Sequence, residues 1–221
     1  MAIIAGCDES GRGPVLGPLV ISCVSVDECK LCELEKMGVK DSKLLTPKQR
    51  EKLYDRIIKL AHSYKIVVIS AQEIDSRASV GLNLNQLEAL KIAQLIDEIK
   101  PDVIYVDSPT SPDQNKFEHM IRKHLKCECD IHAEWKADLH HRIVGASSIL
   151  SKVTRDREVE KIRKEVGMDF GSGYPADPIT MKFVKEHWEN SLSKYIRHSW
   201  GTIKDLKKAK GQQKLASFDD D

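Results

Sequence analysis

The apolar run Ala2 to Cys7 leads straight into Asp8-Glu9-Ser10-Gly11-Arg12-Gly13-Pro14. A short apolar run bounded by turn residues reads as a buried strand, and this one ends in two carboxylates. Charges of that kind belong at the end of a strand, where α/β folds gather catalytic groups in the loops that follow. Neighbouring carboxylates repel, so keeping both ionised needs a cation, and hard oxygen donors favour magnesium or manganese over zinc. Gly11 and Gly13 let the backbone come close to a ligand, and Arg12 carries a planar fork suited to phosphate. Taken alone, an acidic pair more often starts a surface turn; the glycines and the arginine shift that reading.

Strand and helix signals alternate through the rest of the chain. Gly17 to Val26 is a second apolar run, placed to return from the glycine-rich turn as an antiparallel partner of the first. Asp27 caps a short helix ending near Gly38. Thr46-Pro47-Lys48-Gln49 reads as a capping box with proline in the first turn, predicting a helix to about His62. Tyr64 to Ser70 is a β-branched strand, and Ser70-Ala71-Gln72-Glu73 repeats the capping pattern before a short helix. Asn83 opens a longer helix, with Ile92, Leu95, Ile96 and Ile99 on one face as core. Pro101 stops it, and Asp102 to Asp107 is a strand closing on another acid. Strands of one sheet deliver their end residues to one edge, so Asp107 can join Asp8 and Glu9 around a shared ion, although a lone aspartate there equally caps a turn.

Ser111-Pro112 opens an amphipathic helix using Phe117, Met120, Ile121 and Leu125, and Cys127 to Ala133 reads as a strand. Ile143 to Val166 is a long helix with Ala146, Ile149, Leu150 and Val153 inward. Asp138 falls at or just before its start, where the helix dipole favours an acid in any case, by about 1 kcal/mol at most. Beyond Gly167 come the loop Gly171-Ser172-Gly173-Tyr174-Pro175, a helix from Asp177-Pro178 through Trp188, and a last helix over Thr202 to Lys210. The alternation, beginning with a hairpin, argues an α/β domain with a central mixed sheet.

In chain order, DESGRGPVLGP, VKDSK, YVDSP, KAD, SKVTRDR and DFGSGYPADP make the sequence similar to ribonuclease HII, the type 2 ribonuclease H family, in its archaeal and eukaryotic-like form, from Ile4 to about Ile203. The resemblance implies the ribonuclease H-like fold, a central mixed β-sheet flanked by helices with a small helical C-terminal extension. Residues 1–166 would form the catalytic domain, 167–210 the extension completing the substrate cleft, and 211–221 a flexible tail. Asp8, Glu9, Asp107 and Asp138 match the family's active-site acids, holding magnesium or manganese for two-metal phosphodiester hydrolysis that leaves 5′-phosphate and 3′-hydroxyl ends. The implied substrates are RNA–DNA hybrids and duplex DNA containing ribonucleotides, cut on the 5′ side of the ribonucleotide, with roles in ribonucleotide removal and primer processing.

Discrimination must rest on the 2′-hydroxyl, the group that tells RNA from DNA. By resemblance the backbone of Gly11, Arg12 and Gly13 approaches it and Tyr174 packs on the sugar; read alone, Tyr174 is as readily a packed loop tyrosine. Lys40, Ser42 and Lys43 carry over as contacts to a substrate phosphate, in what is otherwise an ordinary solvated turn. Lys152, Arg155, Arg157, Arg197, Trp200 and Lys204 are candidates for the duplex-facing surface. Two departures stand out: His141-Arg142 where the family often has Tyr-Pro, and Trp200-Gly201-Thr202 where Trp-Lys-Thr is common. The first alters the helix start beside Asp138, which keeps a catalytically impaired hybrid-binding protein as one alternative. Another ribonuclease H-like nuclease, acting on DNA alone, is the second.

Composition adds limits. With 35 Lys and Arg against 34 Asp and Glu, any nucleic-acid surface must be a local patch. No apolar run of about 18 residues and no basic-then-apolar N-terminus is present, so no membrane span or secretory signal is supported and a cytoplasmic protein is expected. The cysteines read as reduced thiols, since Cys29-x2-Cys32 and Cys127-x-Cys129 lack the usual four-thiolate zinc spacing. Near the end, Gln212, Leu215 and Phe218 resemble the C-terminal box by which replication and repair proteins dock on the sliding clamp, Leu215 and Phe218 forming a hydrophobic plug with Gln212 hydrogen-bonding beside it. Asp219 stands where a second aromatic is usual, and a frayed polar terminus is the competing reading. Archaeal relatives act alone, so a monomer is expected.

Overall fold

The computed structural model describes residues 1–39, 42–109 and 114–216. Its strands are β1 (Ile3–Ser10), β2 (Leu19–Asp27), β3 (Ser63–Ile69), β4 (Val103–Asp107) and β5 (Asp130–Glu134). Its helices are α1 (Leu31–Lys36), α2 (Pro47–Leu60), α3 (Ala71–Ser76), α4 (Leu84–Ile99), α5 (Gln114–Arg122), α6 (Ala137–His140), α7 (Arg142–Val166), α8 (Pro178–His187) and α9 (Gly201–Ala216). The strands make one mixed sheet in the order β3-β2-β1-β4-β5, antiparallel from β3 to β1 and parallel from β1 to β5.

Side chains alternate across a pleated strand, and this sheet is covered on both faces. Ala5, Cys7, Ile21, Cys23, Ile104 and Val106 pack with Ile92 and Ile96 of α4 and Phe117 of α5. Ile4, Val24 and Val26 face Ile143, Val144, Ile149 and Leu150 of α7. Burial on both sides is why β1 reads as a continuous apolar run. The approach of α7 is close enough that a Cβ at Gly6 would lie 2.4 Å from the carbonyl carbon of Ile143. Small residues make this possible, and they are bonded as well as packed: Ser147 Oγ donates to the Gly6 carbonyl at 2.6 Å, and Ser22 Oγ to the Ser147 carbonyl at 2.7 Å.

The expected caps form. The Gln49 amide donates to Thr46 Oγ1 at 3.3 Å while the Thr46 amide donates to Gln49 Oε1 at 2.8 Å, and Asn83 and Gln86 repeat the exchange at the start of α4. Each such cap is worth about 1 kcal/mol. A third apolar cluster joins Val15 and Leu16, just past the opening loop, to Phe170, Phe183, Val184, Ile196 and Ile203. The Asp75 carboxylate accepts the amides of His198 and Ser199 at 2.7 and 2.9 Å, tying that later segment to α3.

Several boundaries differ from the sequence reading, α5 for one ending at Arg122 short of Leu125. Asp138 lies in the first turn of the separate helix α6, because Lys136 is left-handed (φ 59°) and His141 is extended between α6 and α7. β5 starts at Asp130 rather than Cys127, since the amides of Lys126 and Cys127 both donate to Asp97 Oδ1 of α4. The last helix continues to Ala216 instead of stopping at Lys210, as Gln212 to Ala216 are good helix formers and Gly211 alone does not end it. Cys127 and Cys129 pack against the cluster on the α4 face of the sheet, Cys29 and Cys32 are exposed, and all six thiols are free. No described helix is long and apolar enough to cross a membrane.

Candidate active site

Parallel pairing of β1 with β4 ends at Cys7 beside Val106, so the next residues, Asp8 and Asp107, lie side by side where the two strands part. Alternation turns Asp8 toward α7 and Glu9 toward α4. At the strand end the carboxylate oxygens of Asp8, Glu9 and Asp107 still lie within 4.8 Å of one another. Burial, then the charge of Asp107, pushes Asp8 up to about 8. Burial and the neighbouring Glu88 hold Glu9 well above the usual carboxylate range, and burial with Asp138 raises Asp107 to about 6. Three crowded carboxylates that resist ionisation, Asp8 buried and Glu9 and Asp107 half-buried, offer only oxygen donors and fit a hard divalent cation. Asp138 is outside this trio; it is buried, acts on Asp8 and Asp107 through its charge, and lies with Oδ2 3.5 Å from Lys43 Nζ.

Asp8 and Asp107 each have a built support. Ser148 of α7 hydrogen-bonds the Asp8 side chain, and its Oγ is 2.8 Å from Ser42 Oγ. With Ser148 donating to the carboxylate, Ser42 donates to Ser148. The loop carrying Ser42 and Lys43 is clasped by buried Arg50, whose Nη1 donates to the carbonyls of Ser42 at 3.0 Å and Leu45 at 2.7 Å. The left-handed turn at Lys136 points the Ala137 amide at Asp107 Oδ1, 2.8 Å away, with the Lys136 amide also bonded to Asp107.

A cleft of about 290 Å³ brings the acids to the opening loop: Asp8, Glu9 and Asp107 line it together with Gly11, Arg12, Gly13, Ser42, Lys43 and Tyr174. Gly11 has φ +93°, and a Cβ there would meet Arg155 Nε at 2.4 Å, so only glycine fits. A Cβ on Gly13 would lie 3.2 Å from the Tyr174 ring, and Tyr174 is 45% exposed, a packed ring with an open face. The Gly173 carbonyl accepts the amides of Val15 and Leu16, fixing the tyrosine's loop beside the opening loop.

Arg12 and Arg197 are placed differently from the sequence reading. The Arg12 fork turns to α4, bonding Glu88 and Asn85. Arg197 is fully buried, away from any duplex, donating to the carbonyls of Gly11, Arg12 and Gly17 at 2.7, 3.1 and 2.9 Å. Burial and the nearby Arg155 push its pKa down to about 9. Arg155 is also buried, against Gly11, and Trp200 Nε1 donates to the Gly13 carbonyl at 3.2 Å. Lys152 lines the cleft with Nζ 2.6 Å from Asp156, Arg157 pairs with Glu51, and Lys204 is exposed. His141 stacks on Tyr105 with centroids 4.0 Å apart and lies 2.9 Å from Glu134 Oε2, while Arg142 is exposed. Lys40 and Phe218 lie outside the described residues, as does the side chain of Leu215.

Ser148, Arg50 and Glu88 escaped the sequence reading. The signal for Ser148 was there, in the serines 147, 148 and 151 on the inward face of a long helix. For Glu88 it was a carboxylate four residues before Ile92, on the face read as core.

The family model described as ribonuclease HII matches residues 5–203. A ribonuclease HII from Pyrococcus abyssi is 46% identical over 207 residues, 92% of this chain and 90% of that protein. The crystal structure of a ribonuclease H2 from Pyrococcus horikoshii superposes with a TM-score of 0.84 at 42% identity, covering 94% of this chain and 98% of that one. An RNase HII from Archaeoglobus fulgidus, solved in complex with PCNA, gives 0.77 at 35% identity over 90% of this chain and 95% of that one. With the fold, the acid cluster and the match along nearly its whole length in agreement, the chain belongs to the ribonuclease HII family, the type 2 ribonuclease H hydrolases.

Proposed function

We propose that this ribonuclease H cleaves RNA in RNA–DNA hybrids and cuts 5′ of single ribonucleotides in duplex DNA, leaving 5′-phosphate and 3′-hydroxyl ends. One observation carries the reading: the acids Asp8, Glu9 and Asp107, the Gly11–Gly13 backbone and the Tyr174 ring share a single cleft. Asp8, Glu9 and Asp107 would hold magnesium or manganese, with Asp138 completing the charge around it. A pair of such ions bound there would supply activation of the attacking water and stabilisation of the leaving oxygen. Lys43, beside Asp138 at the cleft edge, brings a cation toward a substrate phosphate, and Lys40 is its expected partner. Ser42 acts chiefly by supporting Ser148 and so Asp8.

Ribose is distinguished from deoxyribose by the loop backbone and by Tyr174 packing on the sugar. We assign residues 1–166 to catalysis and 167–210 to completing the cleft, a division supported by the third apolar cluster, which seats the residues beyond α7 on Val15 and Leu16. Ribonucleotide removal and primer processing are the roles this specificity serves. The relative solved with PCNA supports a sliding clamp as partner, docked through Gln212, Leu215 and Phe218.

Asp8→Asn and Asp107→Asn test the assignment. Each is expected to abolish cleavage while leaving hybrid affinity largely unchanged, because phosphate contacts supply most binding energy. Substantial turnover by either variant at saturating magnesium removes the acid-cluster mechanism.

A further inference from the structure

The loop arginine that a sequence reader would aim at phosphate is bound inward. Arg12 Nη1 bonds Glu88 and Nη2 bonds Asn85, three residues apart on one face of α4. Glu88 is 1% exposed, and its Oε1 has no hydrogen-bond partner among the described residues. A buried, half-satisfied carboxylate is costly, and its helix neighbours Leu87 and Ala89 are core. An apolar residue at 88 would extend that core, so the carboxylate needs a reason to be there. Meanwhile the carbonyls of Gly11, Arg12 and Gly13 are held from the other side by Arg197 and Trp200. The loop is thus gripped by its backbone and by its one long side chain, with its remaining surface on the cleft.

We propose that Glu88 is a positioning residue for sugar recognition, acting through Arg12 to fix the Gly11–Gly13 backbone, and that Arg12 is a strut and not a phosphate clamp. The inference rests on the proposed reading of this loop as the ribose-contacting backbone. A clamp and a strut differ in what they govern. Losing one phosphate contact weakens binding and lowers the log–log salt slope by about 1. Losing a strut misplaces the contact that aligns the reacting sugar and acts on turnover.

The test uses the full chain with magnesium and a duplex carrying one ribonucleotide, at several potassium chloride concentrations. Arg12→Ala and Glu88→Ala are each expected to lower kcat about tenfold to a hundredfold, with KM and its salt slope as in the wild type. The double variant should be no slower than the slower single one, since both remove the same strut. Arg12→Lys, which keeps the charge but loses the fork, should behave like Arg12→Ala. Glu88→Gln, which keeps an acceptor in place, should recover most of the rate, and it also serves if Glu88→Ala fails to fold. The proposal is overturned if Arg12→Ala raises KM and reduces the salt slope, if Arg12→Lys is as active as wild type, or if the two single losses multiply. Wild-type cleavage of an all-DNA duplex at the same rate is a different failure, that of the ribose reading beneath it.

Discussion

Asp8 and Asp107 hold protons at pH values where free aspartate has lost them, pushed up to about 8 and about 6 from an ordinary 3.8. Raised values mean that the native chain binds protons the unfolded chain has already released. As far as these groups are concerned, stability is thus full below pH 3.8 and is lost as pH rises through 6 and 8. The metal-free protein is therefore expected to melt at a lower temperature at pH 8.5 than at pH 5. Manganese should restore the difference at pH 8.5, and Asp8→Asn should flatten the metal-free curve. Calorimetric melts across that range check it, and a metal-free curve that rises toward pH 8.5 would contradict the burial argument. These acids were legible in the sequence because a strand that ends in a carboxylate has few other places to put it. Arg197 was not: a cation near the C-terminus looks like surface until the fold wraps three carbonyls around its fork.

Among the elements, α7 does the most to position the site, since it carries Ser148 to Asp8 and Arg155 to Gly11 while lying directly on β1. That closeness depends on Gly6. Gly6→Ala would drive a methyl into the backbone of Ile143 and Val144, and is expected to cost about 1 to 3 kcal/mol, read as a lower urea midpoint. Gly38→Ala, with nothing within 4 Å, should cost only the strain of its left-handed backbone, about 1 kcal/mol. Equal losses would mean that the contact between α7 and β1 is looser than described. Helix starts were readable wherever a side chain announces them, as Thr46 and Asn83 do. The separate helix α6 was not, because neither the left-handed Lys136 before it nor the extended His141 after it carries a sequence mark; the turn at Lys136 supplies Asp107 with amides.

At the scale of the whole molecule, the strands and their carboxylates make the reacting end, while the segment beyond α7 closes the opening loop from behind. Periodicity showed both sets of elements but not that they meet, because Asp75 gripping His198 and Ser199, or Trp200 reaching Gly13, joins residues far apart in the chain. The proposed clamp box begins at Gln212, inside α9. Deleting residues 212–221 is expected to leave cleavage of short duplexes unchanged and to eliminate binding of the full chain to its sliding clamp in calorimetry; clamp binding by the truncated chain would place that contact elsewhere. The account as a whole stands on ribose being read beside the acid cluster. Its most direct test is single-turnover cleavage by the purified chain, with magnesium or manganese, of two duplexes identical except for one 2′-hydroxyl. The expected result is a single cut on the 5′ side of the ribonucleotide, leaving a 5′-phosphate, and no cut in the all-DNA duplex. Equal cleavage of both, or tight binding of the first without any cut, would contradict it.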